Sequence, residues 1–147
     1  PTLVEGLPNS PVNSVASGPF HTLFSTESGE LFGSGDNSEG QIDMMKEEDW
    51  FKTPRLIKNG VFRNKKISMV SCGMYHSSCL STDGRVITFG KNDFGQLGHS
   101  HSRELSPLVP RVVNGLADEF CVQVACSDFS SFFLTVVGEV FSCGNGS

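Results

Sequence analysis

The stretch VSCGMYHSSCLSTDGRVITFGKNDFGQ, Val70 to Gln96, decides the fold, because the chain repeats it. An earlier copy, Val15 to Gln41, reads VASGPFHTLFSTESGELFGSGDNSEGQ, and a later one from Val124 reads VACSDFSSFFLTVVGEVFSCGNGS. At an offset of 55 the first two share Val15/Val70, Gly18/Gly73, His21/His76, Gly29/Gly84, Gly35/Gly90, Asn37/Asn92, Gly40/Gly95 and Gln41/Gln96. Agreement concentrated on glycine marks places where the backbone takes positive φ or lies close against another segment, and a period of this length is that of a stacked supersecondary unit. The third copy keeps Gly138 and Gly144 but has Ser127 where Gly73 stands and Ser130 where His76 stands.

Within a copy the pattern reads as β. Ile67–Cys72 alternates large apolar residues, His76–Thr82 predicts a second strand, and Arg85–Phe89 a third that returns from Asp83-Gly84, a hairpin signal that places two residues at positive φ. The loop Gly90 to Gly98 follows, then a connector and a short apolar stretch, Val109 to Val113, as a fourth strand. Ser28-Gly29 and Val137-Gly138 mark the other hairpins, and Pro54–Ile57 matches Pro110–Val113. Met44 to Phe51 is the one segment that predicts a helical turn. A four-stranded unit with two apolar faces must stack against like neighbours, and around an axis that stacking makes a propeller.

The pattern V-x-C-G-x-x-H-S, D-G-x-V, G-x-N-x-x-G-Q-L-G, P-x-x-V resembles the repeats of the regulator of chromosome condensation family, most fully over residues 67–116 and in outline over essentially the whole chain. The resemblance implies an all-β fold of propeller blades, each of four antiparallel strands, forming a partial ring of a seven-bladed propeller. It divides the chain, as a single propeller segment over 1–147, into copies 12–66, 67–121 and an incomplete 122–147. Residues 1–11 are expected to be the closing strand and turn of a preceding repeat, with the remaining blades in a longer parent chain. The founding member is a guanine-nucleotide exchange factor for the GTPase Ran, and other members carry the propeller beside ubiquitin-ligase, kinase or Rho-family exchange domains. The expectation for this chain is a non-catalytic protein-interaction propeller within a larger intracellular protein, cytoplasmic or nuclear. The alternative is an exchange factor for a Ran-like small GTPase. The two connectors, 42–66 and 97–121, have about the same length and neither contains an extra hairpin, so the wedge of the founding member is not expected in this segment; its exchange residues are not carried over, because the sequence does not say which blades of the ring these are. A light sensor like the plant ultraviolet-B receptor needs clustered tryptophans, and Trp50 stands alone.

Composition narrows the chemistry. The 147 residues are 37% hydrophobic and contain no apolar run long enough for a membrane helix and no signal-peptide pattern. Five cysteines without a C-x-x-C pair read as free thiols in strand cores rather than a disulfide framework or zinc site. The net charge of −5 is unevenly spread: residues 1–51 hold nine acids and one base, whereas 52–66 hold six bases and no acid. This basic segment can face the acidic Glu47-Glu48-Asp49, solvent or an acidic partner; without interleaved aromatics it is not a nucleic-acid groove.

No residue set reads as catalytic, metal-binding or cofactor-binding. His21 and His76, repeated in register, read as hydrogen-bonding ties between blades, together with the structural glycines Gly18, Gly29, Gly35, Gly40, Gly73, Gly84, Gly90, Gly95, Gly138 and Gly144. His99 and His101 near Glu104 lack an ordered third ligand, and Asp36, Glu39 and Asp43 lack calcium-loop spacing. Asn145-Gly146-Ser147 reads as a turn. The partner-facing candidates lie on the first connector: Met44, Met45, Trp50, Phe51, Lys52, Arg55 and Lys58, since Trp and Arg often dominate interfaces. Covering the blade edge is the competing role for Trp50 and Phe51.

Overall fold

The computed structural model describes residues 1–43, 48–58, 60–99 and 109–146. Eleven strands run β1 Val12–Ser17, β2 His21–Thr26, β3 Leu31–Asp36, β4 Trp50–Ile57, β5 Ile67–Cys72, β6 His76–Ser81, β7 Val86–Gly90, β8 Arg111–Val112, β9 Cys121–Cys126, β10 Ser130–Thr135 and β11 Val140–Gly144. They form three antiparallel meanders: β1-β2-β3-β4, β5-β6-β7-β8 and β9-β10-β11. Residues 1–11 form no strand, only a turn in which Gly6 lies against Thr53 and Pro54.

Each meander is a blade, and all three hairpins close alike. The glycine amide bonds back to the strand end (Gly29 N to Thr26 O, 2.9 Å; Gly84 N to Ser81 O, 2.9 Å; Gly138 N to Thr135 O, 3.0 Å). Only the glycine has positive φ, and no non-glycine residue does among the described residues. The Asp83-Gly84 turn is therefore a four-residue type I turn closed by a glycine bulge, not the two-residue turn with both residues at positive φ that the dipeptide predicted. Within this loop Ser81 Oγ donates toward Asp83 Oδ1 and the Arg85 carbonyl.

The expected helical turn over Met44 to Phe51 is corrected at its described end. Residues 44–47 lie outside the described residues, but Trp50 and Phe51 begin β4, paired with Asp36 and Gly35. Asn37 N donates to Asp49 O at 2.8 Å, fastening the segment to the sheet, and Pro54 cannot continue a helix.

Apolar side chains of consecutive blades interdigitate. Leu23, Leu31, Phe51, Ile57, Ile67, Ile87 and Phe89 belong to a core between blades 1 and 2, and Leu80, Val86, Val113, Leu116, Val124 and Phe133 to one between blades 2 and 3. The inner strands approach to backbone contact. A Cβ on Gly18 would stand 2.2 Å from the Gly73 carbonyl oxygen, and one on Gly73 would stand 2.7 Å from that of Ser127. At Gly18 glycine is a requirement of space between blades, and at Gly73 the His76 ring of its own blade, 2.1 Å from such a Cβ, adds to it. The third blade carries Ser127 at this position, exposed among the described residues.

Candidate functional site

The repeated histidines form the seams. His21 Nε2 lies 2.8 Å from Ser77 Oγ on the next blade, and His76 Nε2 lies 2.9 Å from Ser131 Oγ on the blade after. Each serine donates its one hydroxyl proton to a loop carbonyl, Ser77 to Gln41 O at 2.6 Å and Ser131 to Gln96 O at 2.8 Å. The hydroxyl must then accept from the ring, which fixes the Nε2–H tautomer and leaves Nδ1 a bare acceptor. That nitrogen is buried without a partner among the described residues in both rings. Protonation would bury an unpaired donor and a charge. Burial, assisted by the neighbouring His76, lowers the His21 pKa to about 4 against weak opposition from Asp36, and burial lowers that of His76 to about 4 against the opposing influence of the nearby Ser130 backbone. Such rings tie one blade to the next. Ser130, at the same position in the third blade, bonds instead to Asn145 O at 2.7 Å within its own blade.

The loops after β3 and β7 are braced alike by side chains, as their shared Asn and Gln require. Asn37 Oδ1 accepts from Ile42 N and Asp43 N, and Asn92 Oδ1 from Leu97 N; Gln41 Oε1 accepts from Glu39 N and Gln96 Oε1 from Phe94 N. Asp36 carries bonds from Ser38 and Gln41 Nε2. His99 Nε2 lies 3.0 Å from Thr88 Oγ1, which donates to Leu97 O; His101 and Glu104 lie outside the described residues. No group of three metal-ligating side chains occurs among the described residues. All five cysteines are free, and burial pushes Cys72 up to about 12 and Cys126 and Cys143 to about 11.

Rigid seams and braced loops present two ends. At the loop end, Phe20 stacks on Tyr75 across the first seam (5.0 Å, 17°) and Phe94 meets Phe129 edge-on across the second (5.2 Å, 63°). Lys91 lies over Tyr75 at 5.6 Å and pairs with Asp93 and Glu39, which raise its pKa. Sequence reading missed this aromatic row; Phe20, Tyr75 and Phe129 recur directly before the seam histidine or its serine replacement, a signal of position rather than identity.

The candidate partner residues separate on β4. Trp50 is 54% exposed and lines a recess of about 270 Å³ with Phe20 and Lys52; Phe51 also borders that recess but is 3% exposed and belongs to the core. The edge-covering role falls to Phe51, and Trp50 is left at the surface. Arg55 lies 4.8 Å above the Phe51 ring and 3.6 Å from Glu48, so part of the basic segment does face the adjacent acidic stretch. Lys58 lies at the opposite, hairpin end. Met44 and Met45 lie outside the described residues.

Stacked four-stranded antiparallel blades joined through buried seams define a β-propeller unit. A family described as the regulator of chromosome condensation (RCC1) repeat matches residues 28–80 and 83–134, and a second description of the same repeat matches 12–41 and 67–96. The chain belongs to the RCC1 repeat family. It is 38% identical over 148 residues to mouse "Probable E3 ubiquitin-protein ligase HERC4", covering 99% of this chain and 13% of that protein. It is 36% identical to human "Probable E3 ubiquitin-protein ligase HERC3", covering 100% of this chain and 14% of that protein. The chain thus spans about one-seventh of such relatives' length. Among solved structures, human WBSCR16 superposes with a TM-score of 0.79 at 28% identity over 94% of this chain and 36% of that one. Yeast RCC1 (Prp20), solved bound to Kap60, gives 0.77 at 25% identity over 96% and 31%.

Proposed function

We propose that this chain is a non-catalytic protein-interaction propeller acting within a larger intracellular protein. The observation that carries the proposal is a contrast. The histidines that repeat in register are spent inside the seams, while Trp50 stands exposed beside Phe20 on a rigid loop end. A large aromatic on a preorganised surface supplies contact area with little ordering entropy. Similarity to ubiquitin-protein ligases over a small share of their length supports a module that binds partners for chemistry performed elsewhere. Five free thiols suit a reducing compartment, cytoplasm or nucleus.

The test is a photo-crosslinking amino acid at Trp50 in the full-length protein, in cells. A discrete adduct, lost when the crosslinker replaces buried Phe51 or the exposed Val137, supports the reading; no adduct from either end of the blades overturns it. A second reading, exchange on a Ran-like GTPase, draws its support from the likeness to yeast RCC1. It requires a protruding element, and the described residues of both connectors contain no inserted hairpin.

A further inference from the structure

At the hairpin end of the first seam lies a cleft of about 490 Å³, between the β2–β3 hairpin, the end of β4 and the 3-10 turn Gly60–Asn64 that leads to β5. Lys58, Arg63, Lys65 and Lys66 line it against a single carboxylate, Glu30. Lys65 is committed to Asp83, which its hydrogen bond holds below the usual carboxylate range, and Glu30 accepts from Ser28 Oγ at 2.9 Å. Lys58, Arg63 and Lys66 are exposed, with no carboxylate in ion-pair distance among the described residues. The cleft also has an apolar part, Leu31, Leu56 and Phe62.

The fold does not need these charges, and the next seam shows it. The same backbone bond closes both seams, Ile67 N to Gly29 O at 2.9 Å and Cys121 N to Gly84 O at 3.0 Å. Buried Phe62 and buried Leu116 occupy one position. Yet where the first seam has Arg63, Lys65 and Lys66, the second has Ala117, Glu119 and Phe120. The cations are therefore a property of this cleft and not of the repeat. Like charges gathered without partners lower stability by self-repulsion and are relieved by an anionic ligand.

We infer that this cleft docks an extended acidic segment of a partner protein, its carboxylates on Lys58, Arg63 and Lys66 and its apolar groups against Leu56. The inference deepens the interaction-propeller reading and rests on it. A peptide fits better than a nucleic acid, because Phe62 is buried and turned edge-on to Phe89, leaving no exposed ring for a base to stack on.

The experiment is fluorescence anisotropy on the full-length protein with a fluorescein-labelled peptide of alternating glutamate, serine and leucine. A glutamine-for-glutamate peptide and a single-stranded oligothymidine are the competitors. Saturable binding that weakens with salt, resists the glutamine peptide and falls at least about tenfold in K58E/R63E/K66E is expected. E119K at the second seam should leave it unchanged. Unaltered binding in the triple variant, given an unchanged melting temperature, overturns the inference, as does displacement by oligothymidine more effective than by unlabelled peptide. If no acidic peptide binds while the Trp50 crosslink persists, the cleft assignment fails and the platform reading survives. Loss of both rejects the two together.

Discussion

Ser77 and Ser78 are neighbours on β6, both fully buried, and they should respond oppositely to the same substitution. Ser77 Oγ joins two blades, accepting from His21 Nε2 at 2.8 Å and donating to Gln41 O at 2.6 Å. Ser77→Ala removes one atom and leaves almost no cavity, so the effect isolates polar bonding. It strands one buried donor and one buried acceptor. At about 1–3 kcal/mol for each stranded group, the loss is about 2–6 kcal/mol, centred near 3–4. For a domain of this size that lowers Tm by roughly 6–15 °C. Ser78 Oγ is buried with no partner among the described residues. Ser78→Ala deletes a desolvated hydroxyl and should leave stability unchanged or raise it by about 1 kcal/mol. Urea unfolding of both variants, followed by far-ultraviolet circular dichroism, reads the difference, with m checked for constancy. If Ser77→Ala proves as mild as Ser78→Ala, the His–Ser–carbonyl relay does not hold the seam.

Lowering pH should weaken the seams through the same rings. Their folded pKa of about 4 lies below the ordinary 6.5, so the unfolded chain takes up protons first as pH falls. The stabilisation is complete above about pH 6.5, declines between 6.5 and 4, and falls no further below, with about 3 kcal/mol at stake for each ring. Urea midpoints at pH 7 and 4.5 should show this slope, and His21→Gln with His76→Gln should flatten it. Gly18→Ala should destabilise by about 3 kcal/mol, because the new methyl meets a backbone oxygen of the next blade that cannot turn aside; a neutral result would refute the close approach. Phe51→Ala should cost about 3–5 kcal/mol and Trp50→Ala under about 1 kcal/mol, the reverse of what size alone suggests. Thermal melts of the two variants decide it.

The blades were legible because their determinants are local and repeated. Alternating apolar residues give Ile67–Cys72 in full, and the glycines that punctuate each copy recur at positive φ, Gly29 and Gly84 among them. The recurrence of His21 and His76 in register, three residues after a glycine, was visible in the sequence as a mark of position. The partners of those rings were not. Ser77 and Ser131 look like any strand serine, and only the stacking of blades sets them opposite an imidazole. Trp50 and Phe51 could not be separated for a similar reason: strand alternation sends adjacent side chains to opposite faces, and which face meets the next blade depends on register with Gly35 and Asp36. The helical expectation over Met44 to Phe51 failed at its described end because pairing with β3 outweighs local propensity. The basic run 52–66 showed its charge in sequence but not its division, which sends Lys52 toward the loop end and Lys58, Arg63 and Lys66 to the hairpin end.

The central claim is a propeller that binds without catalysing, and release of a fluorescent guanine nucleotide from Ran and a panel of other small GTPases tests it most directly. The full-length protein, shown folded by its cooperative melt, should leave every release rate at its intrinsic value. Acceleration of about 10²-fold or more on any GTPase would contradict the account and make exchange the function of this ring.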